Sequence, residues 1–349
     1  MSKKEFYKLI PQMKDYDQLG INWIPYIMFT QANNFRSPTV NTDGFGFRLN
    51  DINNISKNVI NENNLNNEKN IICGGSFGFG TGATKDENTI SALLSKNSIK
   101  TLNLSGSAFV GFQDIITLIS NINSLKSIKK IFIFTGISDL YMNKNFGNIY
   151  PDTMFFSSFF SEAMDSKVLS NQKKIFKSIT NFFNPGFISS ETIKKLNKKN
   201  ILDFIFSKKF RESMEKKEKF SNSFFEKKIS RNFSLYQMIS KYLNAEVQIY
   251  LSPYIFWSKD LSNEEKKLVD MTKKFYSKEI KKIYSVMDSE SYQYLANILL
   301  KYSKINEFKF LDINKFFKDN FSSKNWLFVD SVHCTDLGYK EVSNMILNK

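Results

Sequence analysis

Cysteine and histidine are scarce in this chain of 349 residues, which contains two cysteines, Cys73 and Cys334, and one histidine, His333. Two cysteines cannot form a disulfide framework, so we expect buried thiols and a reducing compartment. A zinc site needs four protein ligands, or three and a water, and two sulfurs with one imidazole do not supply them. The sequence therefore predicts no metal site, and we expect no cofactor.

Long apolar runs are also absent. No stretch of about 18 uncharged apolar residues occurs, so no transmembrane helix is predicted. Residues 1–8 carry positive charge but are not followed by the apolar stretch of a secretory signal. Hydrophobic residues make up 42% and charged residues 24%, which is usual for globular domains and excludes a wholly disordered chain. Together these features predict a soluble, cytoplasmic protein.

Acidic residues are in the minority, since 34 Asp and Glu stand against 49 Lys and Arg, a formal net charge of +15. Such an excess suits nucleic acid, an anionic membrane face or an acidic substrate, and it does not choose among them. Much of the excess lies between Lys167 and Arg231, where 17 Lys and Arg stand against 6 Asp and Glu.

The same region carries apolar residues at helical spacing, such as Ile175 and Ile179, which predict a mostly helical, basic insertion over about 150–232. The basic charge of this insertion also allows a peripheral contact with an anionic membrane surface. We expect no specific nucleic-acid partner, because a base-stacking surface needs basic and aromatic residues alternating on one sheet face.

Strand and helix patterns alternate along the remainder of the chain. This alternation implies a parallel sheet with right-handed crossovers, and hence a flavodoxin-like three-layer αβα fold of the α/β class with about five strands. Residues 1–69 are predicted to form an N-terminal extension that packs on an α/β domain of residues 70–349. The predicted strands are 70–74, 99–104, 130–135, 245–251 and 308–312, and the predicted helical stretches are 87–96, 112–125, 234–243, 262–304 and 336–347.

Four polar blocks follow predicted strands or precede the last helix. In an open α/β sheet, ligands bind beyond the carboxyl ends of the strands, near the point where strand order reverses, so we expect these blocks to meet. A glycine-rich turn like the first block holds phosphate, displays a nucleophile or serves tight packing. Its Gly78-x-Gly80-x-Gly82 spacing fits neither common phosphate motif. The blocks are 74–82, 103–108, 135–139 and 329–339.

Asp330 and His333 lie close together in the fourth block. A serine is a weak nucleophile at neutral pH and needs a nearby base, whose imidazole must be oriented by a carboxylate. These two residues can supply both partners from one short turn. Because His333 is the only histidine in the chain, any mechanism that pairs a serine with a histidine must use it.

The four blocks, in this order and spacing, resemble those of the SGNH (GDSL-type) hydrolase superfamily, including members linked to surface-polysaccharide modification. The resemblance covers residues 70–143, about the last 25 residues of the chain and the predicted fourth strand, 245–251. It implies that Ser76 is the nucleophile, His333 the base and Asp330 the orienting acid. The implied activity is that of a serine esterase or O-acyltransferase acting on an acylated carbohydrate or a similar small ester.

Three positions depart from the family's pattern. Gly75 replaces the aspartate before the nucleophile. Ala108 stands where a glycine N–H is offered to the oxyanion, with Gly106 as the alternative donor, and Ser138 replaces an asparagine. The implied oxyanion donors are therefore Ser76, Ala108 and Ser138. Loss of one donor lowers the rate by roughly 10²–10³, so the alternative is a catalytically weak or inactive protein that binds a glycan or an anionic partner.

The segment from Asn41 to Arg48 resembles one found upstream of the nucleophile in SGNH-like proteins of polysaccharide gene sets. On this basis Arg48 is a candidate substrate-binding residue that contacts an acidic sugar. The alternative is an ordinary turn held together by a structural arginine.

Overall fold

The computed structural model of the protein describes residues 3–24, 26–50, 69–97, 99–125, 127–146, 221–275 and 286–348. Its strands are β1 (Ile21–Ile24), β2 (Met28–Gln31), β3 (Lys69–Gly74), β4 (Thr101–Asn103), β5 (Ile128–Thr135), β6 (Glu246–Leu251) and β7 (Lys309–Asp312). Its α-helices are α1 (Lys3–Leu9), α2 (Met13–Gln18), α3 (Ser76–Phe79), α4 (Ile90–Lys96), α5 (Gly111–Ser120), α6 (Ile137–Phe146), α7 (Asn222–Leu243), α8 (Ile255–Ser258), α9 (Asn263–Phe275), α10 (Ser289–Ile305), α11 (Ile313–Asn320) and α12 (Asp336–Leu347). Within these ranges, no helix has both the length and the apolar character needed to cross a bilayer.

Strands β3 to β7 form a five-stranded sheet in the order β4-β3-β5-β6-β7, and every neighbouring pair is parallel. This is the order of flavodoxin-like folds, so strand order reverses between β3 and β5. The predicted fold class is confirmed. It follows from the sequence because β5 and β6 contain nearly continuous apolar runs, which suits strands buried on both faces.

Helices cover both faces of the sheet because successive strand residues point to opposite sides. On one face, Ile71 and Cys73 of β3 belong to a buried cluster with α5, α7 and α10. On the other face, Ile72 belongs to a second cluster with α4, α11 and α12. The result is the predicted three-layer arrangement. The loops at the carboxyl ends of the strands lie along one edge, called the rim below.

Helix α7 begins earlier than the sequence predicts. The predicted helix spans 234–243 and follows an insertion that ends near residue 232, whereas α7 begins at Asn222. Phe225 and Ile229, from its first turns, are buried in the cluster that packs against the sheet. The predicted boundary at 232 is therefore wrong, because apolar residues within a lysine-rich stretch form one buried helix face. The remainder of the predicted insertion lies outside the described residues.

Lys228, on the same helix, does not contribute to a basic surface. Its ammonium group is buried and lies 3.0 Å from the buried Oδ1 of Asp139, near the start of α6. The other carboxylate oxygen of Asp139 accepts a hydrogen bond from the Gly111 N–H at 3.0 Å. The ion pair therefore joins α7 to the first turns of α6 and α5, two helices that begin at the rim.

The described part of the N-terminal segment packs against the α/β core. Strands β1 and β2 form an antiparallel hairpin, which the sequence analysis does not predict. Phe29 of this hairpin packs edge-on against Phe109, in the loop after β4, with ring centroids 5.7 Å apart. Ile10 packs in one cluster with Val329 of the fourth block. Through these two contacts the N-terminal segment touches the loop of the second polar block and the loop of the fourth.

Candidate active site

Ser76 lies at the turn between β3 and α3, at the point where strand order reverses. It is the first residue of α3, a single helical turn that ends at Gly80 with φ +84°. This left-handed conformation favours glycine. Gly78 is required for a different reason, since a Cβ there would lie 2.6 Å from Ser105 Oγ. The glycines of the first block therefore allow a tight turn that displays a serine and packs against the loop after β4.

Ser76, His333 and Asp330 form one chain of hydrogen-bonded side chains. His333 Nε2 lies 2.6 Å from Ser76 Oγ, across a sequence separation of 257 residues. His333 Nδ1 lies 2.6 Å from Asp330 Oδ2. The imidazole and carboxyl side chains are 15% and 19% exposed, so solvent reaches them at the rim. This arrangement can pass the hydroxyl proton to an imidazole that a carboxylate orients.

The environment of Asp330 favours its ionised form. Burial acts to raise the pKa of this carboxyl, but the facing imidazole of His333 and hydrogen bonds outweigh it, so the pKa lies below its usual value. Two of these hydrogen bonds come from the N–H groups of Val332 and His333, which donate to Asp330 Oδ1 at 2.9 Å. The carboxylate is thus held in place while its second oxygen faces the imidazole.

Glu265, on α9, anchors the loop of the fourth block. Its Oε1 accepts hydrogen bonds from the N–H groups of Leu327 and Phe328 at 2.8 and 3.1 Å. Its Oε2 lies 2.6 Å from Lys259 Nζ, and the two side chains are 0% and 1% exposed. The sequence analysis missed Glu265. Several other acidic and basic residues lie beside it on α9, and the spacing of charged residues along a helix does not show which of them is buried.

Replacing Glu265 with alanine is expected to lower the free energy of unfolding by about 3–5 kcal/mol, because it leaves the Lys259 charge buried without its partner. Urea denaturation followed by circular dichroism measures the change. Glu264→Ala, at the neighbouring and partly exposed position, is the matched control and should cost less than about 1 kcal/mol. Equal stability of Glu265→Ala and the wild type would contradict the anchoring role.

Gly106 and Ala108 are the two candidate backbone donors of the second block. The Gly106 N–H donates to the Gly74 carbonyl at 3.2 Å, so it is already engaged. The Ala108 N–H has no hydrogen-bond partner in the described part of the chain. Ala108 has φ +66°, a conformation that suits glycine better than alanine. The geometry therefore favours Ala108 over Gly106 as a donor to a ligand.

Gly75 and Ser138, two of the three positions that depart from the family's pattern, are neighbours. A Cβ on Gly75 would lie 3.0 Å from the Phe109 carbonyl oxygen and 3.3 Å from Ser138 Oγ. A larger residue at position 75 would therefore crowd both the second and the third loop of the rim. Ser138 lies in the first turn of α6 and lines the same cavity as Ser76.

This cavity, of about 40 Å³, is lined by residues of the first and third blocks and by two buried carboxyl groups, Asp114 and Asp139. Asp114 Oδ1 accepts a hydrogen bond from the Gly74 N–H at 3.0 Å and so supports the start of the Ser76 turn. Burial and the nearby Asp139 raise the pKa of Asp114 well above its usual value. The sequence analysis missed Asp114. The one sequence feature that could have indicated it is the presence of an acidic residue on the apolar face of α5.

Arg48 is remote from solvent. Its Nε lies 2.8 Å from Asp86 Oδ1, and its own side chain is 0% exposed. Its Nη1 donates to the Gly80 carbonyl at 2.6 Å and its Nη2 to the Thr39 carbonyl at 2.9 Å. The predicted contact with an acidic sugar is therefore wrong, because the guanidinium is enclosed by acceptors of the protein. Arg48 instead ties the N-terminal segment to the end of the Ser76 turn.

Cys73 and Cys334 are buried free thiols, as the sequence predicts. Burial raises the pKa of both thiols well above its usual value, so neither is an activated thiolate at neutral pH. Among the residues that the structure describes, no group of three or more His, Cys, Asp or Glu is placed to hold a metal ion.

Comparison with known proteins finds similarity only among solved structures, since no protein-family model and no curated protein matches the sequence. One is an extracellular lipase from Streptomyces rimosus, 12% identical, with 81% of this chain and 98% of that chain covered and a TM-score of 0.40. Another is a GDSL-like lipase from Bacteroides thetaiotaomicron, 12% identical, with 80% and 86% covered and a TM-score of 0.39. A third is the lipase/acylhydrolase from Enterococcus faecalis, 9% identical, with 80% and 94% covered and a TM-score of 0.41. At these identities the chemistry of the present chain has to be read from its own site.

Proposed function

We propose that the protein is a serine esterase or O-acyltransferase of the SGNH type. The observation that carries this proposal is the continuous hydrogen-bonded chain from Ser76 through His333 to Asp330, with 2.6 Å at each step. Such a chain makes a serine hydroxyl nucleophilic at neutral pH. The resemblance of the four sequence blocks supports the same class of enzyme.

The proposed reaction has two half-reactions. In the first, His333 Nε2 takes the proton of Ser76 while Oγ attacks the ester carbonyl carbon. The tetrahedral intermediate then collapses, the ester C–O bond breaks, and His333 returns the proton to the leaving alcohol. In the second, water or a sugar hydroxyl gives its proton to the same nitrogen while its oxygen attacks the acyl carbonyl carbon. The bond between that carbon and Ser76 Oγ then breaks, and His333 returns the proton to Ser76. Asp330 stays ionised throughout and keeps the imidazole oriented.

The oxyanion of each intermediate is stabilised in this proposal by the N–H groups of Ser76 and Ala108 and by the hydroxyl of Ser138. Ser76 begins α3, so its N–H is not used by an intrahelical hydrogen bond. A serine hydroxyl reaches less far than an asparagine amide, so the third donor is weaker than in the family's pattern. We therefore expect a slow enzyme rather than an inert one.

We propose a small acyl group on a carbohydrate, or on a similar small alcohol, as the substrate. The cavity beside Ser76 has about 40 Å³. This volume is small beside the roughly 300–1,000 Å³ of most small-molecule pockets, which favours a short acyl group such as acetyl over a long one. The carboxyl groups in its lining do not suit a hydrocarbon chain. The carbohydrate follows from the family resemblance, and a cytoplasmic location suits the two free thiols.

A fluorophosphonate probe tests the proposal directly, because it labels serines that an adjacent base activates. We expect stoichiometric labelling of the wild type and of Ser234→Ala, a control at an exposed serine of α7, and none of Ser76→Ala. Hydrolysis of p-nitrophenyl esters should follow the labelling and should decrease from acetate to butyrate to octanoate.

Two outcomes would contradict this reading. Labelling that survives Ser76→Ala would place the nucleophile elsewhere. A wild type that is neither labelled nor hydrolytic would favour the alternative of a binding protein for a glycan or an anionic partner, which the altered second and third blocks keep open.

A further inference from the structure

The loop that carries Ala108 is held by the N-terminal hairpin. Gln31, the last residue of β2, is 2% exposed. Its side-chain amide donates a hydrogen bond to the Ser107 carbonyl at 3.1 Å. A trans peptide places its C=O and N–H groups on opposite sides. The Ala108 N–H, which belongs to the same peptide group, therefore points away from Gln31.

The same loop lies against the turn that carries Ser76. The Gly106 N–H donates to the Gly74 carbonyl at 3.2 Å. The Phe109 carbonyl oxygen lies 3.0 Å from the position that a Cβ on Gly75 would take. Ala108 lies between these two contacts along the chain. The loop is thus enclosed between the hairpin and the Ser76 turn, with the Ser107 carbonyl on the hairpin side.

Ala108 needs such support. Its φ of +66° lies in the left-handed region, which alanine adopts at an energetic cost and glycine does not. Without support, the peptide before Ala108 can rotate to a relaxed conformation and carry its N–H elsewhere. The contacts that oppose this rotation are the Gln31 hydrogen bond and the apolar cluster of Ala108 with Phe29 and Phe109.

Gln31 is itself firmly placed. Its backbone pairs with Ile21 in the hairpin register, and Asn22 Nδ2 donates to its carbonyl at 3.1 Å. Gly46, with φ +88°, approaches so closely that a Cβ there would lie 2.2 Å from the Gln31 carbonyl oxygen. Contacts on both sides therefore fix the backbone from which the Gln31 amide extends.

We propose that Gln31 is a positioning residue for the oxyanion site, because it holds the Ser107–Ala108 peptide so that an alanine can replace glycine as the backbone donor. The inference rests on the proposed function. It adds that the N-terminal hairpin is part of the catalytic unit and explains how the second block tolerates its departure from the family's pattern.

Gln31→Met tests this role, since it removes the amide donor and nearly keeps the side-chain volume. We expect kcat for p-nitrophenyl acetate to fall by about 10–100-fold while KM changes less than about threefold, because the oxyanion exists only in the transition state. Adding Ala108→Gly to Gln31→Met should recover most of the lost kcat, since glycine adopts positive φ freely. A role confined to hairpin stability would not show this recovery.

Gln113→Met is the matched control, because the Gln113 amide ties the same hairpin to α5 by donating to the Ile27 carbonyl at 2.8 Å. It should lower the urea midpoint as Gln31→Met does and leave kcat within about threefold of the wild type. If Gln31→Met does not fold, Gln31→Asn, whose amide is too short for the contact, takes its place.

An unchanged kcat in Gln31→Met would overturn the inference, and so would a loss that Ala108→Gly does not recover. A loss of the same size in Gln113→Met would assign the effect to hairpin docking and overturn it as well. These outcomes all presuppose Ser76-dependent hydrolysis by the wild type. Its absence would refute the proposed function, and the inference with it, before any Gln31 variant is compared.

Discussion

Alanine in place of His333 is expected to lower kcat for ester hydrolysis by about 10⁶-fold, because it removes the proposed base of the Ser76 hydroxyl. His333 Nε2 lies 2.6 Å from Ser76 Oγ, and the chain contains no second histidine that can replace it. The hydrolysis that remains then reports only substrate binding and the oxyanion donors. Release of p-nitrophenol under single-turnover conditions measures the loss.

Added imidazole separates the loss of the base from a loss of the fold. The truncated side chain leaves room beside Ser76, so free imidazole should restore part of the activity of His333→Ala. It should restore none in Ser76→Ala, in which the nucleophile itself is absent. A His333→Ala enzyme within about tenfold of the wild type would mean that another group deprotonates Ser76, and the mechanism would be wrong.

Asn in place of Asp330 is expected to lower kcat by about 10⁴-fold with little change in structure. The asparagine oxygen can still accept the N–H groups of Val332 and His333, which donate to Asp330 Oδ1 at 2.9 Å. The amide nitrogen, however, then donates to His333 Nδ1 and selects the tautomer whose proton is on Nε2. That tautomer cannot accept the Ser76 proton, so kcat falls while KM should change little. A reduction of kcat below about tenfold would contradict the orienting role.

The free energy of unfolding should also depend on the ionised carboxylate of Asp330. The pKa of Asp330 is lower in the folded protein than in an unfolded chain, where it is about 3.9. Ionised Asp330 therefore stabilises the fold above that pH, and this contribution is lost as the pH falls through the folded pKa. In urea denaturation, the difference between the wild type and Asp330→Asn should be larger near pH 7 than near pH 3. Asp319→Asn, at an exposed position of α11, is the control, and a difference for Asp330→Asn that does not vary with pH would contradict the prediction.

The sheet and several helices follow from local sequence patterns. The last helix spans Asp336–Leu347 as predicted, because Thr335 caps its first turn and apolar residues recur at helical spacing behind it. The five parallel strands lie within a few residues of their predicted positions, since strands buried on both faces are apolar runs bounded by polar turns.

The β1–β2 hairpin shows where local patterns are insufficient. A hairpin is usually recognised by Asn-Gly or Asp-Gly at its turn, residues that adopt positive φ readily. Here Tyr26 and Met28 have φ +68° and +78°, values that neither side chain favours. The turn is stabilised by the packing of the hairpin on the core, which its own sequence does not reveal. For this reason the element that holds the Ala108 loop is missing from the predicted structure.

The amino-acid sequence alone predicted the parallel α/β sheet, because apolar runs bounded by polar turns are patterns within short segments. It pointed to Asp330 and His333 as a pair, and its resemblance to the SGNH family added Ser76. Only the tertiary structure decided that Arg48 is enclosed and that, among the residues described, the Ala108 N–H has no hydrogen-bond partner while that of Gly106 is engaged. The same holds for the supports of the site, since Gln31 binds a carbonyl 76 residues away and Glu265 an N–H 62 residues away. Contacts at such separations depend on how whole helices and strands pack, and they produce no regular residue pattern from which they could be predicted.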